Sequence, residues 1–383
     1  MQENQMSCAR INFMGDIMLG DSYHMLGIGV GTTIVNKGTA HVFERVKSFL
    51  SEADLNIGNL ECSFSDKTLP MRSLSPYIGY SPHFVDCLKV GNLHIVSMAN
   101  NHTMQYGADI FQVTQDLLLV NDIRTIGTVR FPWLETTVNG IRFAFVAYSL
   151  RPDDYNHAEL AYVAGEKTKI LDDVQYLAAR NDHVIVSLHW GDEYVHYPHA
   201  DQIALAHEII DIGASGVIGH HPHVLQGIEI YKTGVIAYSL GNFVFDKPQM
   251  MQRLGVILQL SFRQGEKMDF NVFPIWINNR FQPEMTEDED KKRLIRLLSN
   301  FSRDRVGGDE SSRYHEDVLR GLRNMRLQFL AFLIRNFYRY RPSILTALIC
   351  SALRRRLRWR LWTIKRIRSI LMKSICFGSP DEN

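Results

Sequence analysis

Three histidines stand within four positions in the stretch GHHPH, residues 219–223, directly after a short apolar run. Clustered imidazoles contribute little to packing, whereas neutral imidazoles are common metal ligands. Pro222 fixes its own φ and biases His221 towards an extended backbone, so His221 and His223 can approach one metal ion or two adjacent ions from one loop. We therefore predict that both bind metal. His220 receives no ligand role, and we expect it to orient a neighbour or to face solvent.

Four other polar stretches carry oxygen and imidazole donors. They are GDIMLGD with Asp16, GNLECS with Asn59 and Glu61, ANNHTMQYG with Asn101 and His102, and HWGDEY with His189. Each stretch alone has a simpler explanation, such as a turn residue, a solvated or helix-capping acid, Asx turns that close a loop, or a histidine satisfied in a core. An imidazole such as that of His102 also titrates near neutral pH and can transfer a proton.

All five stretches follow a predicted β-strand. Short apolar runs alternate with amphipathic helical patterns through the first 245 residues, which predicts an α/β fold. Loops beyond the carboxyl ends of the strands line one crevice in open α/β sheets, so we expect the five loops to converge. Hairpins with turns at Asn139-Gly140 and Thr233-Gly234 add antiparallel strands, and these predict two sheets or one mixed sheet.

The donor set itself indicates a kind of metal site. Carboxylate and amide oxygens are mixed with imidazoles and no thiolate, which favours zinc, manganese or iron. The set is too large for a single tetrahedral ion. Two divalent metal ions roughly 3.5–4 Å apart, sharing a carboxylate and a bridging water, would use all of it.

Six blocks between residue 11 and about residue 246 carry a family resemblance. They are GDIMLG, NLECSFS, VSMANNHTMQYG, LHWGDEY, GASGVIGHHPHVLQGIE and AYSLGNFVFD. In these blocks the chain resembles the CapA family of poly-γ-glutamate capsule synthesis, within the calcineurin-like metallophosphoesterase superfamily. The resemblance implies a four-layer α/β sandwich, in which two mixed β-sheets are flanked by helices.

The resemblance also implies residue roles. The implied metal ligands are Asp16, Asn59, Glu61, Asn101, His189, His221 and His223. The histidine that protonates the leaving group would be His102. Two positions depart from the pattern: Met18 stands where phosphoesterases of the superfamily have a histidine ligand, and Gln105 stands where capsule relatives have an acid. We expect the first change to weaken or alter one metal position and the second to make His102 less effective.

Charge divides the chain into an acidic body and a basic end. Fifteen of the 42 Lys and Arg residues but only two of the 41 acids follow Val318, which leaves 27 basic and 39 acidic residues before it. The basic end mixes Arg with Leu, Ile, Phe and Trp, and its longest uncharged run, Pro342 to Leu353, is too short to span a bilayer. This pattern favours a helix at an anionic membrane surface over a partner-binding helix, and it disfavours nucleic acid.

The acidic stretch EMTEDEDKK indicates a domain boundary. We predict a metallophosphatase domain at residues 1–285, a helical extension at 286–340 and a basic amphipathic tail at 341–383. The five scattered cysteines argue against a disulfide framework. The N-terminus lacks an apolar stretch of the length that signal peptides have, so we expect a cytoplasmic protein, peripheral at the inner face of the membrane.

Two functions remain open from the sequence. The first is a metal-dependent hydrolase of capsule synthesis that acts on a phosphoester or related bond. The second is a metal-binding subunit, with little hydrolysis of its own, of a membrane-associated complex that makes or exports an acidic polymer. Met18, Gln105 and the basic tail motivate the second.

Overall fold

The computed structural model describes residues 8–22, 25–65, 81–153, 155, 157–303, 311–340, 342, 345 and 346, with the side chains of 311–313 left aside. The strands within these residues are β1 (Cys8–Ile17), β2 (Leu55–Leu60), β3 (Ile95–Ser97), β4 (Arg124–Ile126), β5 (Trp133–Val138), β6 (Ile141–Ser149), β7 (His183–His189), β8 (Gly216–His220), β9 (Ile228–Tyr231), β10 (Gly234–Ala237), β11 (Asn242–Val244), β12 (Leu254–Arg263), β13 (Asp269–Ile277) and β14 (Pro283–Met285). The α-helices are α1 (Val30–Lys37), α2 (Lys47–Leu50), α3 (Val85–Val90), α4 (Ala108–Val120), α5 (Lys167–Ala178), α6 (Ala200–Asp211), α7 (Asp288–Arg303) and α8 (Ser311–Asn336).

The described strands form two mixed sheets. The order of sheet 1 is β14-β13-β12-β1-β2-β3-β4, and β11 also pairs with β1. Strands β1 to β4 run parallel, whereas β12, β13 and β14 pair antiparallel. The order of sheet 2 is β5-β6-β7-β8-β10-β9, with β5 and β9 antiparallel to their neighbours and the inner strands parallel.

The two sheets pack face to face through aromatic side chains. Phe143 of sheet 2 contacts Phe262 of sheet 1, with 4.9 Å between ring centroids, and Phe145 contacts Phe13 at 6.4 Å. Helices α5 and α6 cover the other face of sheet 2, where Val174 belongs to a separate buried cluster. Helices α3 and α4 add their buried side chains to the core of sheet 1. These layers confirm the predicted α/β sandwich of two mixed sheets flanked by helices.

Strand β1 continues past the point where the sequence pattern ends it. The apolar run RINFM predicts a strand that ends at Gly15, but Asp16 pairs with Asn59 of β2 on one side and with Asn242 of β11 on the other. A Cβ added at Gly15 would lie 1.9 Å from the carbonyl oxygen of Gly241. Glycine therefore lets the chain before β11 approach β1 closely, and this approach keeps Asp16 within the sheet.

The two predicted hairpins are present, one of them with a shifted turn. Asn139 and Gly140 both have positive φ (49° and 80°) and connect β5 to β6, as expected. In the second hairpin Gly234 already pairs with Tyr231, so the turn consists of Lys232 and Thr233 rather than Thr233-Gly234. Gly234 lies against Ile210 of α6, where an added Cβ would come within 2.5 Å, so packing rather than turn geometry requires the glycine.

The chain divides into two compact units, Met1–Ile334 and Arg335–Asn383. In the first unit α7 buries Leu294 and Leu298 in the core that also holds the sheets. In the second unit the described residues complete α8 and form a 3-10 turn at Phe337–Arg339. The domain limits predicted at residues 285 and 340 stay predictions, because compactness alone does not say which segments fold independently.

The predicted basic tail lies outside the described residues except for residues 342, 345 and 346. Of the helices within the described ranges, none combines the length and the apolar composition that crossing a bilayer requires. The three cysteines that the structure describes, Cys8, Cys62 and Cys87, are free.

Candidate metal centre

The carboxylate of Asp16 lies at the centre of a buried polar cluster. Its Oδ1 accepts a 2.8 Å hydrogen bond from Asn59 Nδ2, and its Oδ2 accepts a 3.3 Å bond from the backbone N–H of His221. The Nδ1 atoms of His220 and His223 lie 3.4 and 3.3 Å from its two oxygens. Burial opposes ionisation of Asp16, but the hydrogen bonds and charges of His220 and His223 outweigh it and hold the pKa well below its usual range. Asp16 is thus suited to meet a cation as a carboxylate.

Glu61 is a second, completely buried carboxylate beside Asp16. Its Oε1 accepts from Asn59 Nδ2 at 3.1 Å, and its Oε2 lies 3.8 Å from Nε2 of His223. Among the described residues Oε2 has no hydrogen-bond partner. Burial, followed by the negative charge of Asp16, raises the pKa of Glu61 well above its usual range. Ionising both of two adjacent carboxyl groups costs free energy because their charges repel, and a cation between them would offset this repulsion.

His223 points one ring nitrogen into this cluster. It donates from Nδ1 to Asn242 Oδ1 at 2.9 Å, which leaves Nε2 facing the carboxylates. That atom is buried and has no hydrogen-bond partner in the described part of the chain. Ligand atoms of Asp16, Glu61 and His223 all lie within 4.8 Å of one another. This is the spacing of groups that can share a metal ion.

His221 is buried with both ring nitrogens lacking a hydrogen-bond partner among the described residues. Its ring lies 4.8 Å from that of His189, and burial, followed by the charge of His189, holds its pKa well below the usual range. Its backbone has φ of 96°, not the extended conformation that the following proline favours. The bond from its N–H to Asp16 helps to hold this conformation, which an ordinary loop would avoid.

Three predicted ligands hold one another by hydrogen bonds. His189 donates from Nε2 to Asn101 Oδ1 at 2.9 Å, and its Nδ1 lies 3.3 Å from the amide nitrogen of Asn59. The oxygen of Asn59 accepts from Asn100 Nδ2 at 3.2 Å, so Asn59 presents its nitrogen to the carboxylates. Burial holds the pKa of His189 well below its usual range. The ligand roles of these residues stay predictions.

His102 lies in the loop after β3, and Asn100 fixes its backbone. The Oδ1 of Asn100 accepts from the backbone N–H groups of His102 and Thr103, each at 3.1 Å. The hydroxyl of Tyr155 lies 3.5 Å from Nδ1 of His102 and donates to Gln105 Oε1 at 3.0 Å. Burial and then the charge of His223 hold the pKa of His102 well below its usual range.

Sequence reasoning missed three residues at this site. Asn242 orients His223, Asn100 fixes the His102 loop, and Glu193 has its Oε1 3.9 Å from Nε2 of His223. All three lie in blocks that carry the family resemblance: Asn100 and Glu193 follow β3 and β7, and Asn242 begins β11. Their position was therefore a usable signal, but nothing in the pattern indicated which atoms they would face. His220 is buried and contacts Asp16, so it orients a neighbour rather than facing solvent.

Met18 is the clearest departure from the expected ligand pattern. Its side chain is fully buried, and its sulfur accepts a 3.0 Å hydrogen bond from the backbone N–H of Gly20. A thioether is a poor ligand for hard divalent ions. The cluster must therefore be completed by other residues if it holds two of them.

This protein is an α/β sandwich in which carboxylate and imidazole side chains are gathered at the strand ends. Residues 10–247 match the family model described as bacterial capsule synthesis protein PGA_cap, and the chain belongs to that family. It is 30% identical over 306 residues to the capsule biosynthesis protein CapA of Bacillus anthracis, covering 76% of this chain and 72% of that one. It is 29% identical over 311 residues to the PGA biosynthesis protein CapA of Bacillus subtilis, covering 76% and 78%. The expected CapA resemblance is confirmed.

Solved structures with a similar fold include two enzymes. A phosphatase from Mycoplasma pneumoniae is 13% identical, with 76% of this chain and 98% of that chain covered and a TM-score of 0.45. The NAD nucleotidase of Haemophilus influenzae is 12% identical, with 84% and 61% covered and a TM-score of 0.43. These two structures are similar to this protein in fold only, and the similarity does not indicate its activity.

Proposed function

We propose that the protein is a metal-dependent hydrolase of bacterial capsule synthesis that acts on a phosphoester or a related bond with two divalent metal ions. The observation that carries the proposal is the set of buried ligand atoms without hydrogen-bond partners in the described residues, namely Glu61 Oε2, both ring nitrogens of His221 and Nε2 of His223. An unsatisfied buried polar group costs about 1–3 kcal/mol, and coordination of a cation would remove this cost. Zinc, manganese and iron suit such a mixture of oxygen and imidazole donors.

Different groups at the site have different roles in such a hydrolysis. Bound divalent ions supply Lewis acidity at the scissile bond. Asp16 and Glu61 supply the negative charge that retains the cations. His102 lies in a loop at the same strand ends, and it would donate the proton that the leaving group takes up as the bond breaks.

The first test is metal analysis of the purified protein. We expect about two equivalents of transition metal in the wild type and close to one in His221→Ala. The matched control is His41→Ala, since His41 bonds to the carbonyl of Arg280 and does not belong to the cluster. Equal metal content in the wild type and His221→Ala would contradict the assignment of His221.

The second test is turnover. A panel of phosphoesters is supplied to protein loaded with zinc, manganese or iron, and His102→Ala is expected to lower kcat by about 10²–10⁴-fold, the usual contribution of general acid catalysis. Metal content of the variant serves as the control for an intact site. Unchanged turnover would remove His102 from the mechanism.

A second candidate function is a metal-bearing subunit of an acidic-polymer synthesis or export complex, with little hydrolysis of its own. Met18 offers no hard donor, and the amide of Gln105, instead of an acid, accepts from Tyr155 beside His102. Full metal content combined with no turnover of any phosphoester would favour this function. Strong metal-dependent hydrolysis by the full chain would exclude it.

We also propose an anionic membrane surface as a partner, at the cytoplasmic face. The basic tail that suggests it lies outside the described residues, but α8 supports it, since Leu327, Leu330 and Ile334 are exposed by 57%, 53% and 65%. These positions lie on one face of the helix, next to exposed arginines such as Arg326 and Arg335. Apolar side chains next to arginine are typical of helices at the membrane interface.

The proposed substrate is an acidic polymer or a phosphoester rather than a nucleic acid.

A further inference from the structure

Two carboxylate oxygens lie near one ring nitrogen of the cluster. Nε2 of His223 has Glu61 Oε2 at 3.8 Å and Glu193 Oε1 at 3.9 Å. These distances are too long for hydrogen bonds. Each is short enough for the carboxylate oxygen and the imidazole nitrogen to bind the same ion, because metal–ligand bonds to nitrogen and oxygen are about 2 Å long.

The loop that carries Glu193 is tied directly to the GHHPH loop. The backbone N–H of Trp190 donates to the carbonyl of His220 at 3.1 Å, and that of Tyr194 donates to the carbonyl of Pro222 at 2.9 Å. These bonds flank Glu193 on both sides in sequence. The backbone that carries Glu193 is therefore tied to the GHHPH loop on both sides.

Helix α8 supports the same loop from its other side. Tyr197 donates its hydroxyl to Asp317 at 2.5 Å, and the ring of Tyr314 packs edge-on against Tyr197 with 5.7 Å between centroids. A Cβ added at Gly321 would lie 3.2 Å from the carbonyl oxygen of Tyr194. The helix thus lies directly on the backbone next to Glu193 and leaves this part of the loop little room to move.

The carboxyl groups around His223 also favour the binding of a cation. Asp16, Glu61 and Glu193 all lie within 4 Å of its ring nitrogens. The ammonium group of Lys247 lies 5.2 Å from the Phe245 ring that contacts His223. A divalent ion bound at this place would meet three carboxyl groups around one imidazole.

We propose that Glu193 is a ligand of the same metal ion as His223, completing a coordination set to which Met18 contributes nothing. This proposal rests on the metal centre of the proposed function. It goes beyond that function by assigning a ligand role to the HWGDEY loop through its second acid, and by making α8 the element that keeps this ligand in place.

The test compares Glu193→Gln with Asp192→Asn in the full-length protein. Asp192 is the neighbouring acid, pairs with Arg151 at 3.2 Å and undergoes the same change of charge. After chelation and dialysis, Mn²⁺ is titrated calorimetrically into each protein. We expect Glu193→Gln to weaken Mn²⁺ binding at one site by more than tenfold and Asp192→Asn to stay within about twofold of the wild type. Glu193→Asp is expected to retain part of the affinity.

A spectroscopic measurement separates ligation from support of the loop. The visible absorption of Co²⁺-loaded protein reports on coordination, and it should change in Glu193→Gln but not in Asp192→Asn. Equal affinities and spectra in the wild type and Glu193→Gln would overturn the ligand role while leaving the metal centre in place. Equal losses in the two variants would show a displaced loop and would also overturn it. If the wild type itself bound no Mn²⁺ or Co²⁺, the proposed function would fail along with this inference.

Discussion

Replacing Asp246 by asparagine should stabilise the protein at pH 8 much more than at pH 5. Asp246 is completely buried, its Oδ2 accepts a 2.7 Å bond from the backbone N–H of Ser22, and its Oδ1 has no hydrogen-bond partner in the described part of the chain. Asp21 lies nearby, with its carboxylate already bonded to Gly27 and Thr32. Burial and then the charge of Asp21 raise the pKa of Asp246 from 3.8 to about 7.

The size of the effect follows from this shift. Well below pH 4 the carboxyl of Asp246 is protonated in both the folded and the unfolded chain, and it does not lower stability. Well above pH 7 it is ionised in both, and the raised pKa then lowers stability by roughly 3 pKa units, or about 4 kcal/mol. Stability is lost as the pH rises from about 4 to about 7, and about 3 kcal/mol of the loss falls between pH 5 and pH 8. Asparagine has the same shape and no charge, so the variant avoids this loss.

The assay is urea unfolding of the wild type and Asp246→Asn at pH 5 and pH 8, in the presence of a chelator so that metal binding does not contribute. The free energy of unfolding of the variant minus that of the wild type should increase by about 3 kcal/mol from pH 5 to pH 8. The control Glu52→Gln, at an exposed position, should show no such increase. A difference between Asp246→Asn and wild type that is equal at the two pH values would refute the reasoning.

Two further predictions concern the metal centre and α8. Asn242→Ala removes the oxygen that fixes the proton on Nδ1 of His223, so Mn²⁺ affinity measured by calorimetry should fall by about 10–100-fold, with unchanged affinity contradicting the orienting role. Leu330→Gln with Ile334→Gln should lower the fraction of full-length protein that sediments with vesicles containing anionic lipid. Val120→Gln, at a position 76% exposed on α4, should not lower it. Equal sedimentation of the two variants would argue against α8 as a membrane contact.

The sequence by itself determined the layered fold and the place of the site. Alternating strand and helix patterns are local properties, and glycine or polar residues after each apolar run mark the strand ends. Since parallel strands of one sheet present their carboxyl ends at one edge, Asp16 and Glu61 could be expected to meet. That His221 and His223, which follow β8, join them depends on how sheet 2 packs on sheet 1. The resemblance to capsule-synthesis proteins rests on the same loops, and the family match confirms it.

Only the tertiary structure decided which atoms meet within that edge. Asn242 reaches His223 because β11 pairs with β1, and Glu193 faces the same imidazole because its loop bonds to the GHHPH loop. The positive φ of His221 depends on its bond to Asp16, 205 residues away in sequence, and no local pattern can report such a contact. Local sequence specifies secondary structure and exposed loops, whereas ligand geometry and buried charge depend on partners brought together by the packing of the two sheets and α8.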